Sequence, residues 1–101
     1  MNWFGPRPPN AAKASVTFPN QSRSYDPTRR AVRFWGYDRS MESSFFVACD
    51  ALRHMQPDLR PDEAGYLEAF DRNRKFIHEI AARTYSRGRK NIYDLVVADF
   101  S

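Results

Sequence analysis

The segment of residues 26–39, DPTRRAVRFWGYDR, constrains the fold of this chain more than any other part of its sequence. It begins and ends in residues that are typical of turns. Pro27 fixes the backbone angle that the second position of a turn requires, and the Asp26 carboxylate can accept hydrogen bonds from amides further along. Between the turns, side chains of different character alternate over residues 31–37, which predicts a β-strand with two unlike faces.

The two faces of this strand suggest different roles. Val32 and Phe34 point to one face, with Gly36 in line, and we expect that face to be core. An arginine and two aromatic residues point to the other face: Arg33, Trp35 and Tyr37. Two hypotheses fit this pattern, a nucleic-acid-binding hairpin and a half-buried pair of strands with solvated arginines.

The flanking segments predict an antiparallel meander followed by a helix. Residues 22–25 and 41–47 read as strands on either side of the first one. Asp50 is expected to cap a short helix over residues 51–56, since its carboxylate can accept hydrogen bonds from the unpaired amides of the first turn. Pro57 ends that helix.

A single long helix is predicted to run from Pro61 or Asp62 to about Ser86. Gly65 inside this helix implies that the short helix approaches it closely, and Gly88 is suited to end it. Apolar side chains recur at spacings of three and four residues and form one stripe: Tyr66, Leu67, Phe70, Ile77, Ile80, Ala81 and Thr84.

Residues 91–100 are predicted to form the last strand. Its apolar run, residues 95–98, does not alternate, so we expect a central strand that is covered in part on both faces. The order β-β-β-α-α-β predicts an α+β fold in which the helices pack on one face of an antiparallel or mixed sheet. Residues 21–101 are expected to form one compact domain.

The first 20 residues are predicted to be a mobile arm, because the prolines among them oppose regular structure. Trp3 and Phe4 are costly to leave in water and could dock on the domain or on a partner. Ser15 to Phe18 would add a short edge strand if a neighbouring strand were available. The chain has one cysteine, no apolar run long enough to cross a membrane and no signal-peptide pattern, so we expect a soluble cytoplasmic protein that does not interact with membranes.

No catalytic residue, metal ligand set or cofactor is predicted. Cys49, Asp50 and His54 are close in sequence, but a strand end and a helix turn do not direct the thiol at the imidazole, and we expect an inert buried cysteine. His78 is expected at the edge of the apolar stripe, paired with a nearby carboxylate. The sequence has no CxxC or HxxxH motif and no glycine-rich phosphate loop.

The candidate binding surface combines the aromatic hairpin with the basic end of the long helix. The net charge of +4 is only mildly favourable to anionic partners, and no nucleic-acid-binding signature is present. The predicted surface consists of eight residues: Arg29, Arg30, Arg33, Trp35, Tyr37, Arg87, Arg89 and Lys90.

Four segments of the chain resemble the small bacterial family known as domain of unknown function 1488. They are AVRFWGYD, SFFVACDALRHM, AFDRNRKFIHEIAARTY and YDLVVADF. The resemblance covers about four fifths of the chain and implies a compact α+β fold, but no activity, substrate or catalytic residue. From the residues themselves we expect a non-enzymatic protein-interaction or regulatory module, with an unknown protein partner or self-association. Nucleic-acid binding is the alternative hypothesis.

Overall fold

The computed structural model of this chain describes residues 15–85 and 90–101. Four strands form one sheet: β1 (Arg23–Asp26), β2 (Ala31–Asp38), β3 (Met41–Ala48) and β4 (Ile92–Leu95). The helices that follow β3 are α1 (Cys49–Met55), α2 (Glu63–Arg72) and α3 (Arg74–Tyr85), and a 3-10 helix (Val97–Phe100) follows β4. This arrangement confirms the α+β fold class.

The sheet is mixed, with the strand order β1-β2-β3-β4. The first three strands form the predicted antiparallel meander, whereas β4 pairs with β3 in parallel. The turn between β1 and β2 forms as predicted, because Asp26 Oδ1 accepts hydrogen bonds from the amides of Thr28 and Arg29, both at 3.0 Å. Arg30 then adopts a left-handed φ of 53° and closes the turn.

The helices pack on one face of the sheet, which carries the core. The alternation predicted for β2 is confirmed, since Val32 and Phe34 are buried with Gly36 while the residues between them are half-buried. Aromatic rings connect the strands to the helices: Phe34 lies 5.1 Å from Phe70, measured between ring centroids. The core of the domain therefore lies between this face and α1–α3.

The prediction of one long helix is wrong, because the helix is interrupted at Asn73. The Asn73 amide donates to the carbonyls of Ala69 and Phe70, and its side-chain Nδ2 donates to the carbonyl of Ala69 at 2.8 Å. These bonds end α2 at Arg72, and α3 begins at the next residue after Asn73. The apolar stripe continues across the break, so periodicity alone cannot reveal it.

Two other helix predictions need correction. Asp50 does not cap α1: the capping position is Ala48, no side chain caps it, and Asp50 pairs with Arg53 instead. The helix begins directly at the end of β3, which leaves no loop residue to serve as a cap. The sequence predicts that the long helix begins at Pro61 or Asp62, but α2 begins at Glu63 and Asp62 caps it, with its carboxylate 2.7 Å from the amide of Gly65.

The reason for a glycine at position 65 also differs from the prediction. A Cβ built on Gly65 would overlap the backbone carbonyl of Arg60, in the loop before α2. The close approach is therefore to that loop and not to the short helix.

The C-terminal strand is shorter than predicted and lies at the edge of the sheet. Only Ile92–Leu95 form β4, and they alternate between exposed and buried. After Leu95, the Asp99 carboxylate accepts a hydrogen bond from the Val96 amide at 2.8 Å and the chain turns into the 3-10 helix. The apolar run thus spans the end of a strand and a turn of helix, which explains why it does not alternate.

A short N-terminal segment packs beside the meander; we call residues 16–18 the strap. Thr17 forms an isolated antiparallel bridge with Tyr37, with backbone N···O distances of 2.9 and 2.8 Å. Val16 is buried, and the Phe18 ring stacks on His78 at 4.2 Å. The predicted role of Trp3 and Phe4 in the arm lies outside the described residues.

Within residues 15–85 and 90–101, no helix is long and apolar enough to cross a membrane. The same residues contain no group of three or more histidine, cysteine or acidic side chains placed to hold a metal ion.

Candidate functional site

The central part of the predicted surface lies on the side of the sheet that no described helix covers. Pairing in register places Trp35 beside Ser44, and the parallel pairing places Ser44 beside Ile92. Because side chains alternate along strands, the residues two positions away share this side. We call it the free face. Ser24 of β1 lies on it beside Arg33, and its central side chains are Arg33, Trp35, Tyr37, Glu42, Ser44, Phe46, Ile92 and Asp94.

Arg29 folds from the turn onto this free face. Its guanidinium carbon lies 4.1 Å from the centre of the Phe46 ring, within the range of a cation–π interaction. Its Nη1 also donates to Asp94 Oδ1 at 3.1 Å. Phe46 is only 6 % exposed although no described helix covers it, and the arginine accounts for part of that burial.

Arg33 lies between two aromatic rings in the middle of the free face. Its guanidinium carbon is 4.9 Å from the Trp35 ring and 5.7 Å from the Phe46 ring. Its Nη2 donates to Ser44 Oγ at 2.9 Å, whereas its buried Nε has no hydrogen-bond partner among the described residues. The two arginines and two aromatic side chains thus form a continuous layer, which we call the arginine–aromatic layer: Arg29, Phe46, Arg33 and Trp35.

The other predicted basic residues are placed elsewhere. Arg30 lies at the end of the sheet beside the buried Cys49, in a cavity of about 230 Å³ that the two residues help to line. Lys90 Nζ lies 5.5 Å from the ring of Tyr93, which faces the helices. Arg87 and Arg89 lie outside the described residues. Of the described basic residues in the predicted set, Arg29 and Arg33 are the two that meet on the free face.

Sequence reasoning missed the contributions of β3 and β4 to this site. Glu42, Ser44 and Phe46 alternate with the core residues of β3, and this alternation in the sequence is a sufficient signal to assign them to the free face. Asp94 could not be placed, because its position depends on the parallel pairing of β4 with β3.

Burial shifts the pKa values of several described side chains, including Cys49, His78 and Tyr85. Burial raises the pKa of the Cys49 thiol, which opposes the thiolate that a nucleophile needs. Burial, together with the charge of Arg74, lowers the pKa of His78 to about 4. The expected pairing of His78 with a carboxylate does not occur among the described residues; its ring is stacked on Phe18. Burial and a hydrogen bond from its hydroxyl to Asp38, at 3.0 Å, raise the pKa of Tyr85.

Comparison with known proteins gives a family without an assigned activity. The family described as "Protein of unknown function (DUF1488)" matches residues 16–97. A crystal structure of a protein of unknown function from the DUF1488 family of Shewanella loihica PV-4 superimposes with a TM-score of 0.71 at 18 % identity, over 81 % of this chain and 92 % of that one. This likeness concerns the fold alone. No curated protein matches the sequence. Because the family match spans the strap, the whole sheet and all three helices, the chain belongs to the DUF1488 family.

Proposed function

We propose that this chain is a non-enzymatic protein-interaction domain whose free face binds a second copy of the chain. The observation that carries the proposal is the arginine–aromatic layer. Arginine, tryptophan and tyrosine are enriched in protein–protein interfaces and among the residues that dominate their affinity. Here these side chains lie on a sheet face that no described helix covers, together with Ile92, which is 44 % exposed.

The distribution of charge on the free face favours a second copy as the partner. Arg33 lies two positions before Trp35, and Glu42 is paired with Tyr37, two positions after Trp35. The cation and the anion are therefore about 13 Å apart along the strands, too far to pair within one chain. Consider a twofold axis that lies in the interface and runs perpendicular to the strands at the level of Trp35. It packs the two free faces together with their strands in opposite directions, and so brings Arg33 of one copy close to Glu42 of the other.

The same geometry brings apolar surfaces together. The twofold axis places Trp35 against Trp35 and Ile92 against Ile92 at the centre of the interface. Glu42 is exposed and has no ion-pair partner among the described residues, so it is available for this contact. The interface would then have apolar residues at its centre and two equivalent ion pairs around it.

Contacts of the arginines support this proposal over nucleic-acid binding. Arg29 is paired with Asp94, whereas Arg33 lies near the Trp35 ring and donates to Ser44 but has no carboxylate partner among the described residues. The free face therefore presents one guanidinium without an acidic partner, and not the row of cations that a phosphate backbone requires. Lys90 lies toward the other side of the sheet, over Tyr93.

A charge-reversal experiment tests the proposal by sedimentation velocity from micromolar to millimolar concentration. The unaltered chain is expected to associate reversibly into dimers. Arg33→Glu and Glu42→Arg, each alone, create like-charge contacts across the interface and are expected to weaken the dimer at least tenfold. An equimolar mixture of the two variants is expected to form a heterodimer, because both of its ion pairs then have opposite charges.

Lys75→Glu is the matched control, since Lys75 is exposed on α3 on the helix side of the sheet and should not change association. A chain that stays monomeric throughout the concentration range would contradict the proposal, as would single variants whose mixture fails to associate. In parallel, mixed-sequence oligonucleotides are titrated at low and raised salt with Trp3→Phe, which leaves Trp35 as the single tryptophan. Salt-sensitive quenching that is lost in Arg33→Glu would favour the nucleic-acid hypothesis instead.

A further inference from the structure

A groove on the opposite side of the sheet has the features of a second binding site. It lies between the strap and the junction of α2 with α3 and has a volume of about 650 Å³, within the usual range of small-molecule sites. One wall is apolar and is formed by Val16, Phe18 and Ala82. The other is charged and mainly basic, with Arg72, Arg74 and Lys75 beside the carboxylates of Asp71 and Glu79; we call it the basic wall.

The basic wall has one more positive than negative charge, because the carboxylates of Asp71 and Glu79 also line the groove. Arg23 binds Asp71 with two hydrogen bonds, of 3.0 and 2.8 Å, and Arg74 Nη2 binds the same carboxylate at 2.7 Å. Two guanidinium groups therefore share one carboxylate. The hydrogen bond from Arg23 is the main reason that the pKa of Asp71 is lowered, so the carboxylate stays ionised.

Arg74 is held in place before any ligand arrives. Its side chain is 17 % exposed and its guanidinium carbon lies 4.9 Å from the centre of the Phe70 ring. Its Nη1 is buried and has no hydrogen-bond partner among the described residues. The ordering cost of this cation has thus been met during folding, which favours binding of an anion nearby.

The junction between the two walls is a neutral, flat ring. His78 lines the groove and stacks on Phe18 with an angle of 15° between the rings. Above pH 6 the imidazole is uncharged, because its pKa is about 4. An apolar group can therefore rest against Phe18 and His78 while an attached anion faces Lys75 and Arg74.

From this arrangement we propose that the groove binds a carboxylate joined to a small apolar or aromatic group. Basic side chains on one wall would bind the carboxylate, and the strap would contact the apolar group. Such a carboxylate can belong to a free organic acid or to the C-terminus of a peptide that ends in an apolar residue.

The test compares pairs of probes that differ only in charge, by ¹H–¹⁵N NMR on the full chain. 3-Phenylpropionate is compared with 3-phenylpropanamide, and a tetrapeptide ending in phenylalanine with its C-terminal amide. Each carboxylate that fits is expected to give saturable shifts at the groove residues and to bind at least tenfold more tightly than its amide. The two pairs show which source the groove prefers.

Variants locate the binding within the groove. Lys75→Gln is expected to weaken carboxylate binding about threefold, and Arg74→Gln about tenfold. If Arg74→Gln lowers the melting temperature, binding is compared instead in Arg72→Gln and Lys75→Gln, which replace exposed residues. Arg60→Gln, outside the groove, is the control and should leave binding unchanged. Equal affinity for carboxylate and amide, absence of saturable shifts at 10 mM probe, or shifts that map to the free face would overturn the proposal.

Discussion

Gly36 is the residue on which docking of the strap depends, and replacing it gives a quantitative prediction. An ideal Cβ on Gly36 would lie 2.6 Å from Val16 Cγ2, 2.8 Å from Phe18 Cε1 and 3.1 Å from Phe45 Cε1. The first two distances are too short for carbon atoms. Its φ is not positive, so an added side chain causes no backbone strain and acts through this overlap alone.

The magnitude follows from what holds the strap in place. Burying Val16 and Phe18 contributes roughly 3–5 kcal/mol, and the hydrogen bonds between Thr17 and Tyr37 contribute about 1 kcal/mol each. Ordering three residues costs roughly 3–6 kcal/mol. At mid-range these terms are about 6 kcal/mol in favour of docking and about 4.5 kcal/mol against it, so the strap is docked by a net free energy of about 1–2 kcal/mol. Gly36→Ala is expected to lose about 1 kcal/mol, in line with overpacking, and Gly36→Val to reach the full docking energy.

A double-mutant cycle, with the free energy of unfolding measured in urea, tests whether the loss is limited to the docking energy of the strap. Phe18→Ala is expected to destabilise the unaltered chain by about 1–2 kcal/mol but to cost less than about 0.5 kcal/mol in the presence of Gly36→Val, because the strap has already detached. NMR titration of His78, with His54→Gln to leave one histidine, supplies a second measurement. Loss of the Phe18 ring should raise the pKa of His78 from about 4 toward its ordinary value of 6.5.

The reasoning is refuted if the losses from Gly36→Val and Phe18→Ala are additive and the titration of His78 does not move. That outcome would mean that the added side chain is accommodated elsewhere in the core and that the strap does not compete with it.

Two further predictions concern the helices. Because the pKa of His78 is lower in the folded chain than the 6.5 of the unfolded chain, the unfolded state binds more protons between those values, so stability should fall as the pH falls from 6.5 to 4. The free energy of unfolding, measured with urea, should change by at most about 1.4 kcal/mol per pH unit in this range. His78→Gln should reduce this pH dependence, and an unchanged pH dependence would contradict the prediction. Gly65→Ala should destabilise by roughly 2–4 kcal/mol, since the methyl group meets the rigid carbonyl of Arg60, and a thermal melt equal to that of the unaltered chain would contradict it.

Local signals predicted the meander well because they act over a few residues. The turn at Asp26 depends on its own side chain and the next three amides, and the two faces of β2 depend on alternation. The same alternation separates Arg33, Trp35 and Tyr37 from the core side chains Val32 and Phe34.

The errors arose where tertiary contacts decide the outcome. The break at Asn73 preserves the phase of the apolar stripe, and the end of β4 is set by the hydrogen bond between Asp99 and Val96. Docking of the strap requires Gly36, Phe18 and His78 to meet, and these residues belong to three separate segments of the chain. The groove could not be predicted, because its walls come from those separate segments.

The parallel pairing of β4 with β3 has a consequence for how the chain folds. The first three strands are joined by tight turns, so the meander can form from contacts between residues that are near one another in sequence. Val47 and Leu95 come together only after the chain between them, with all three α-helices, has been arranged. Closing so long a loop costs more entropy than closing a hairpin, and long-range pairing slows folding. We therefore expect β4 to join the sheet last and to limit the folding rate, although it is only four residues long.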